Sequence, residues 1–141
     1  MLFLVEFYSM IQILKIVPKI PALLVVAAIW ILSSQSTLPV LPKGILGFDK
    51  FHHFIAYLAL AGTFVFWFSP TQRRFHRRRT FLLIVLISSL YGVIDEIHQF
   101  YVPFRDCNVW DWLADTIGAC LGGGAALLVE RWVVRRRNDV R

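Results

Sequence analysis

Apolar runs of thirteen to twenty-one residues alternate with polar breaks along most of the chain, and the polar residues gather where the runs end. From Met1 to Lys19 the polar positions Glu6, Ser9, Gln12, Lys15 and Lys19 recur every three or four residues. On a helix that spacing makes one narrow polar stripe, which predicts an amphipathic helix lying in a membrane interface. A cleaved leader is disfavoured there, because the charges follow the apolar run and no small-residue cleavage site appears. Pro21–Ser33 is short for a span, yet Lys19 can snorkel and the flanking prolines suit a helix start. Residues 33–50 are rich in Ser, Pro and Gly and read as a loop. Three further apolar stretches follow, Phe51–Phe68, Phe81–Phe100 and Val109–Val129, each long enough to cross a hydrocarbon core of about 30 Å at about 1.5 Å per residue. Ser69–Thr80 turns the chain between the first two of these, and Pro103 ends the second. The pattern predicts an all-α membrane protein: an interfacial helix over 1–19, a four-helix transmembrane domain over 20–130 and a basic tail over 131–141.

Composition agrees with that pattern. Of 141 residues 57% are hydrophobic, above the roughly 45–50% of soluble domains, and the mean hydropathy is +0.62. The net charge of +6 would point to nucleic acid in a soluble chain, but five arginines of one cluster sit in the short break between two apolar runs. Basic residues near span ends stay in the cytoplasm. With four spans the N-terminus, the Ser69–Thr80 break and the tail hold twelve of them, against Lys43, Lys50 and Arg105 on the opposite side. Both termini are therefore expected in the cytoplasm and the chain in the cytoplasmic (inner) membrane, with lipid as its surroundings and nucleic acid excluded as a partner. Cys107 and Cys120 do not form a disulfide framework.

With that orientation, six of the nine acidic residues and three of the four histidines fall on the outer half. A carboxylate in the hydrocarbon region costs a few kcal/mol unless it meets water or a partner, so such residues are functional candidates by default. The second span opens with Asp49, Lys50, His52 and His53, and Tyr57 follows one turn on. Asp49 can reach His53 across one turn, stacking a carboxylate, an imidazole and a phenol. The third span carries Asp95 and Gln99 on one face, with Glu96 about 100° away and so free to have another target. The fourth opens with Asp111 and Asp115, an i, i+4 pair, after Arg105 in the preceding loop, where Arg105 is close enough to pair with Asp95. A polar vestibule open to the outer face results.

Three motifs, DKFHHFIAY over 49–57, YGVIDEIHQ over 91–99, and Arg105 followed by DWLADTIG over 111–118, together resemble the VanZ-like membrane proteins, a family named for teicoplanin resistance. The resemblance covers residues 21–124 and marks Asp49, Lys50, His53, Tyr57, Asp95, Glu96, Gln99, Arg105, Asp111 and Gly118 as family-type positions. It implies a setting in cell-envelope modification or glycopeptide-type antibiotic resistance, and no particular reaction. Two residues depart from it: Asp115 stands where the family usually has Asn, adding a negative charge, and Phe104 where it usually has Gly.

Several readings of the polar cluster stay open. The acids can be architectural, pairing with Lys50, Arg105 or a histidine to fix helix register in a non-catalytic membrane assembly partner with no ligand. They can bind a lipid-linked or other envelope ligand. They can serve an integral membrane hydrolase or transferase acting on a lipid head group, with Asp95 or Glu96 and His53 as acid and base, although no nucleophile motif accompanies them. Asp49 with His52, and Asp95 with His98, have a spacing compatible with metal ligation, but the spacing is common by chance; neither a metal nor a cofactor is assigned. Ala114, Gly118, Gly122 and Ala126 form a small-residue groove on the fourth span, for packing within the bundle or for a homodimer. Trp110, Trp112 and Trp132 fit an aromatic belt.

Overall fold

The computed structural model describes residues 16–36 and 48–139. Most of the interfacial stretch over 1–19, most of the loop over 33–50 and the last two residues of the tail lie outside them. Every regular element among the described residues is helical. A 3-10 turn, Val17–Lys19, runs straight into α1, Ile20–Ser33, with a proline in the first turn of each. Proline costs nothing there, because the N–H it lacks has no partner within the helix. α2 spans Phe48–Phe64 and tightens into a 3-10 turn over Val65–Trp67.

The break between the second and third apolar runs is not a plain turn. It holds a short helix, α3, Pro70–Phe75, opened by a capping box in which Ser69 accepts from the Gln72 backbone N–H and the Gln72 side chain accepts from the Ser69 N–H. α4, Arg77–Phe100, begins four residues before the apolar run itself, because the arginines are good helix formers and carry the helix outward. α5, Val109–Asp139, continues ten residues beyond the expected end at Val129, so the basic tail over 131–139 is helical. Asn108 caps its start: the Asn108 side-chain carbonyl accepts from the Trp110 N–H at 3.0 Å.

Two helices, α4 and α5, are long and apolar enough to cross a membrane; α1 with its preceding turn is apolar but shorter, and α2 has 17 residues. α5 packs along α2 for most of their shared length and along α4 on its other side, and α1 lies against α2. The α2–α5 contact is close because Gly118 and Gly122 face it. A Cβ on Gly118 would strike the Phe54 carbonyl oxygen, and one on Gly122 the Leu58 carbonyl oxygen. Gly118 and Gly122 of the small-residue groove are therefore filled by a helix of the same chain. Away from the site, Ala61, Val65, Ile84, Ala119 and Leu127 form an apolar core. Polar ties link the helices: Tyr91 donates to the Val26 carbonyl at 3.0 Å, and Trp112 Nε1 donates to the Ser89 hydroxyl at 3.1 Å. Trp112 is thus an interhelical donor, whereas Trp110 and Trp132 are exposed as a belt requires.

The partition of the bundle is inside out. Among its buried residues are Ser33, His53, Thr80, Ser88, Asp95, Glu96, Gln99, Asp111 and Asp115, while Leu23, Leu24, Leu82, Leu86, Leu90, Ile94, Leu121 and Leu128 face outward. A water-soluble domain rarely shows so much contiguous apolar surface, and a helix bundle in lipid has no reason to hide it.

Candidate functional site

His53 is the centre of the polar residues. It projects from the second turn of α2 and is 7% exposed. Its Nδ1 lies 3.0 Å from Asp115 Oδ1 of α5 and 3.7 Å from Glu96 Oε1 of α4. Its Nε2 faces Gln99 Nε2 of α4 at 3.5 Å, and the same Gln99 amide donates to Asp95 Oδ2 at 3.1 Å. Three helices thus meet at one imidazole. The close α2–α5 approach makes this geometry reachable, and Gly92 does the same for α4, since a Cβ there would lie 2.9 Å from Asp115 Oδ2.

Glu96 and Asp95 have different partners, as the angle between them allows. The last turns of α4 enter a three-helix junction, so side chains about 100° apart both find protein instead of lipid. One carboxylate oxygen, Oε2, accepts from the Asn108 backbone N–H at 2.7 Å, which leaves Oε1 toward His53. Asn108 was missed as a site residue. Its signal is an Asn immediately before an apolar run, the mark of a helix cap.

The rim is built from two ion pairs. Lys50 Nζ donates to Asp111 Oδ1 at 2.8 Å, and Arg105 Nη1 lies 3.5 Å from Asp49 Oδ1. Arg105 therefore pairs with Asp49 and not with Asp95, because the loop after α4 carries it back over the start of α2. The two i, i+3 pairs with metal-like spacing do not come together either. His52 Nδ1 bonds the Phe48 carbonyl at 2.7 Å, and His98 stacks on Trp30 with its Nε2 2.9 Å from the Ser34 hydroxyl. Tyr57 lies one turn beyond His53, fully buried.

Several buried polar atoms here have no hydrogen-bond partner: the Tyr57 hydroxyl, Asp95 Oδ1, Glu96 Oε1 and Asp115 Oδ2. Leaving such a group unmade costs about 1–3 kcal/mol, and more when charged. The contents are unbalanced as well, with Asp95, Glu96 and Asp115 around a single imidazole while both rim cations serve rim acids. Such an arrangement accepts hydrogen bonds and positive charge. None of the described hydrogen bonds of His53 goes to a hydroxyl or thiol, so the nucleophile–base pairing of covalent catalysis is not formed among the described residues.

A protein-family model described as VanZ/LLP1 matches residues 2–130. Neither a search of curated proteins nor one of solved structures returns a match.

Proposed function

The chain belongs to the VanZ/LLP1 family, and from that premise we propose that it is a cell-envelope protein of the cytoplasmic membrane that binds the polar head of a lipid-linked envelope ligand at the outer face, in envelope modification or glycopeptide-type resistance. In this reading α1, α2, α4 and α5 are the four spans and both termini are cytoplasmic. The observation that carries it is the buried group of Asp95, Glu96 and Asp115 around His53, with unpartnered acceptor oxygens, at the end of the bundle rimmed by Lys50 and Arg105. Unpartnered acceptors suit the hydroxyl, amide and ammonium donors of a sugar–peptide head, and the rim cations suit its phosphate. Covalent catalysis has no support here, because no side-chain hydroxyl or thiol is hydrogen-bonded to His53 among the described residues.

The test is titration of the nanodisc-reconstituted protein with polyprenyl phosphate, a polyprenyl pyrophosphate bearing a sugar–peptide head, and phosphatidylethanolamine. Saturable binding is expected for the head-bearing lipid. Asp95→Asn should weaken it by about tenfold or more, as truncating a buried hydrogen-bonded charge does, while the variant still accumulates in the membrane. Equal response to all three lipids would overturn the proposal, as would unchanged affinity in a folded Asp95→Asn protein.

A further inference from the structure

We infer that His53, Glu96 and Asp115 form a binding site for one divalent first-row cation of the Mn2+ or Zn2+ type. The inference does not depend on the lipid-ligand reading, since it concerns an ion bound by the protein alone.

Ligand atoms of the three residues all lie within 4.8 Å of one another, and all three residues are buried. The separations from His53 Nδ1, 3.0 Å to Asp115 Oδ1 and 3.7 Å to Glu96 Oε1, lie within a few tenths of an ångström of what a shared ion requires. Metal–ligand bonds of about 2.0–2.1 Å put neighbouring donors roughly 2.9 Å apart in octahedral and roughly 3.4 Å apart in tetrahedral geometry. Each donor comes from a different helix; Gly118 and Gly122 bring α5 close to α2, and Gly92 brings α4 close to Asp115 of α5, so the geometry does not rest on a loop.

The unpartnered atoms are independent evidence that this cluster is built for an ion. Glu96 is held by one oxygen through Asn108 and directs the other, which has no hydrogen-bond partner, at the His53 nitrogen. Gln99 stands on the Nε2 side of the imidazole at 3.5 Å, so Nδ1 is the ring nitrogen that faces the carboxylates. The Tyr57 hydroxyl, on the next turn of α2, and Asp95 Oδ1 are buried and unpartnered too. Charge points the same way. Buried carboxylates without a cation are strongly disfavoured, and Lys50 and Arg105 are engaged on Asp111 and Asp49. One nitrogen and two carboxylate oxygens, with no thiolate, select a hard to borderline ion over a soft one, and three protein donors are too few for the six to eight oxygens of Ca2+.

The experiment uses the full chain in detergent, stripped with chelator, dialysed against Zn2+, Mn2+ or Ca2+ and assayed for bound metal. One equivalent of Zn2+ or Mn2+ per chain is expected, with Ca2+ weak. Glu96→Gln and Asp115→Asn should each lower affinity by about a hundredfold or more, at or beyond the upper end of what loss of an outer-shell partner does. His52→Gln and His76→Gln should leave it unchanged. Asp49, His53 and Asp111 form a rival group of three. Loss of binding in Asp111→Asn with retention in Glu96→Gln would overturn the assignment. A variant-free measurement guards against misfolding: Mn2+ bound to protein labelled with 15N-histidine should show hyperfine coupling to one ring nitrogen. Negligible metal uptake by the wild type, or uptake without that coupling, would refute the site.

Discussion

Phe104 carries a φ of 64°, in the left-handed region, with its ring 86% exposed. It stands where the family resemblance implies Gly, so the departure visible in the sequence is also the one strained residue of the described backbone. A side chain in that region costs roughly 1–2 kcal/mol, and replacement by Gly returns about 0.4–1 kcal/mol of that to the unfolded chain. Phe104→Gly is expected to raise stability by about 0.5–1 kcal/mol, read as a higher midpoint of thermal unfolding in micelles. Phe104→Ala keeps the Cβ and should give little of that gain. A lower midpoint for the Gly variant would mean that the exposed ring has a packing partner in the membrane.

Between elements, the decisive contact is α2 against α5. A methyl group on Gly122 meets the Leu58 carbonyl, which is backbone and cannot rotate away, so the helices have to separate. Gly122→Ala is expected to destabilise by about 1–3 kcal/mol, the usual cost of overpacking. Gly124 provides the control, because a Cβ there would meet only Phe81 Cε2 at the ordinary distance of 3.7 Å. Gly124→Ala should be neutral or slightly stabilising, since Ala is the better helix former by about 1 kcal/mol. Thermal unfolding of both variants checks the ordering, and equal midpoints would show that the helices close on each other by another route. Separating α2 from α5 also pulls His53 from Asp115, so Gly122→Ala should weaken cation binding with no change of ligand.

Across the whole molecule, the outward Leu and Ile residues and the buried acids make sense together only if lipid replaces water around the bundle. α5 is 31 residues long, about 46 Å, so its Arg-rich last turns project past a core of about 30 Å on the side where Arg73 pairs with Glu130 at 3.1 Å. Cys107 is exposed in the loop before α5, at the opposite end. The proposed orientation is checked by a membrane-impermeant maleimide, which is expected to label Cys107 in intact spheroplasts without permeabilisation. Alkaline phosphatase fused after Arg79 should stay inactive. Labelling only after permeabilisation, or an active fusion, would reverse the topology.

The sequence by itself determined the helical class, the apolar runs of α1, α4 and α5, and most of the residues that gather at His53. Those features are local: periodicity, run length and the cost of a charge in an apolar stretch are all written into consecutive residues. It also marked Gly118 and Gly122 as small-residue positions, though not which helix fills them. Pairing was decided only by the tertiary structure. Asp95 and Glu96 differ by about 100° on an isolated helix, and only a junction of three helices makes both of them interior. Arg105 chose Asp49 because of how its loop folds back, and His98 chose Trp30 and Ser34 because α1 lies beside α4 there. A side chain's partner depends on the helix facing it, and the facing helix is set by shape complementarity summed over the whole bundle, which no window of sequence contains.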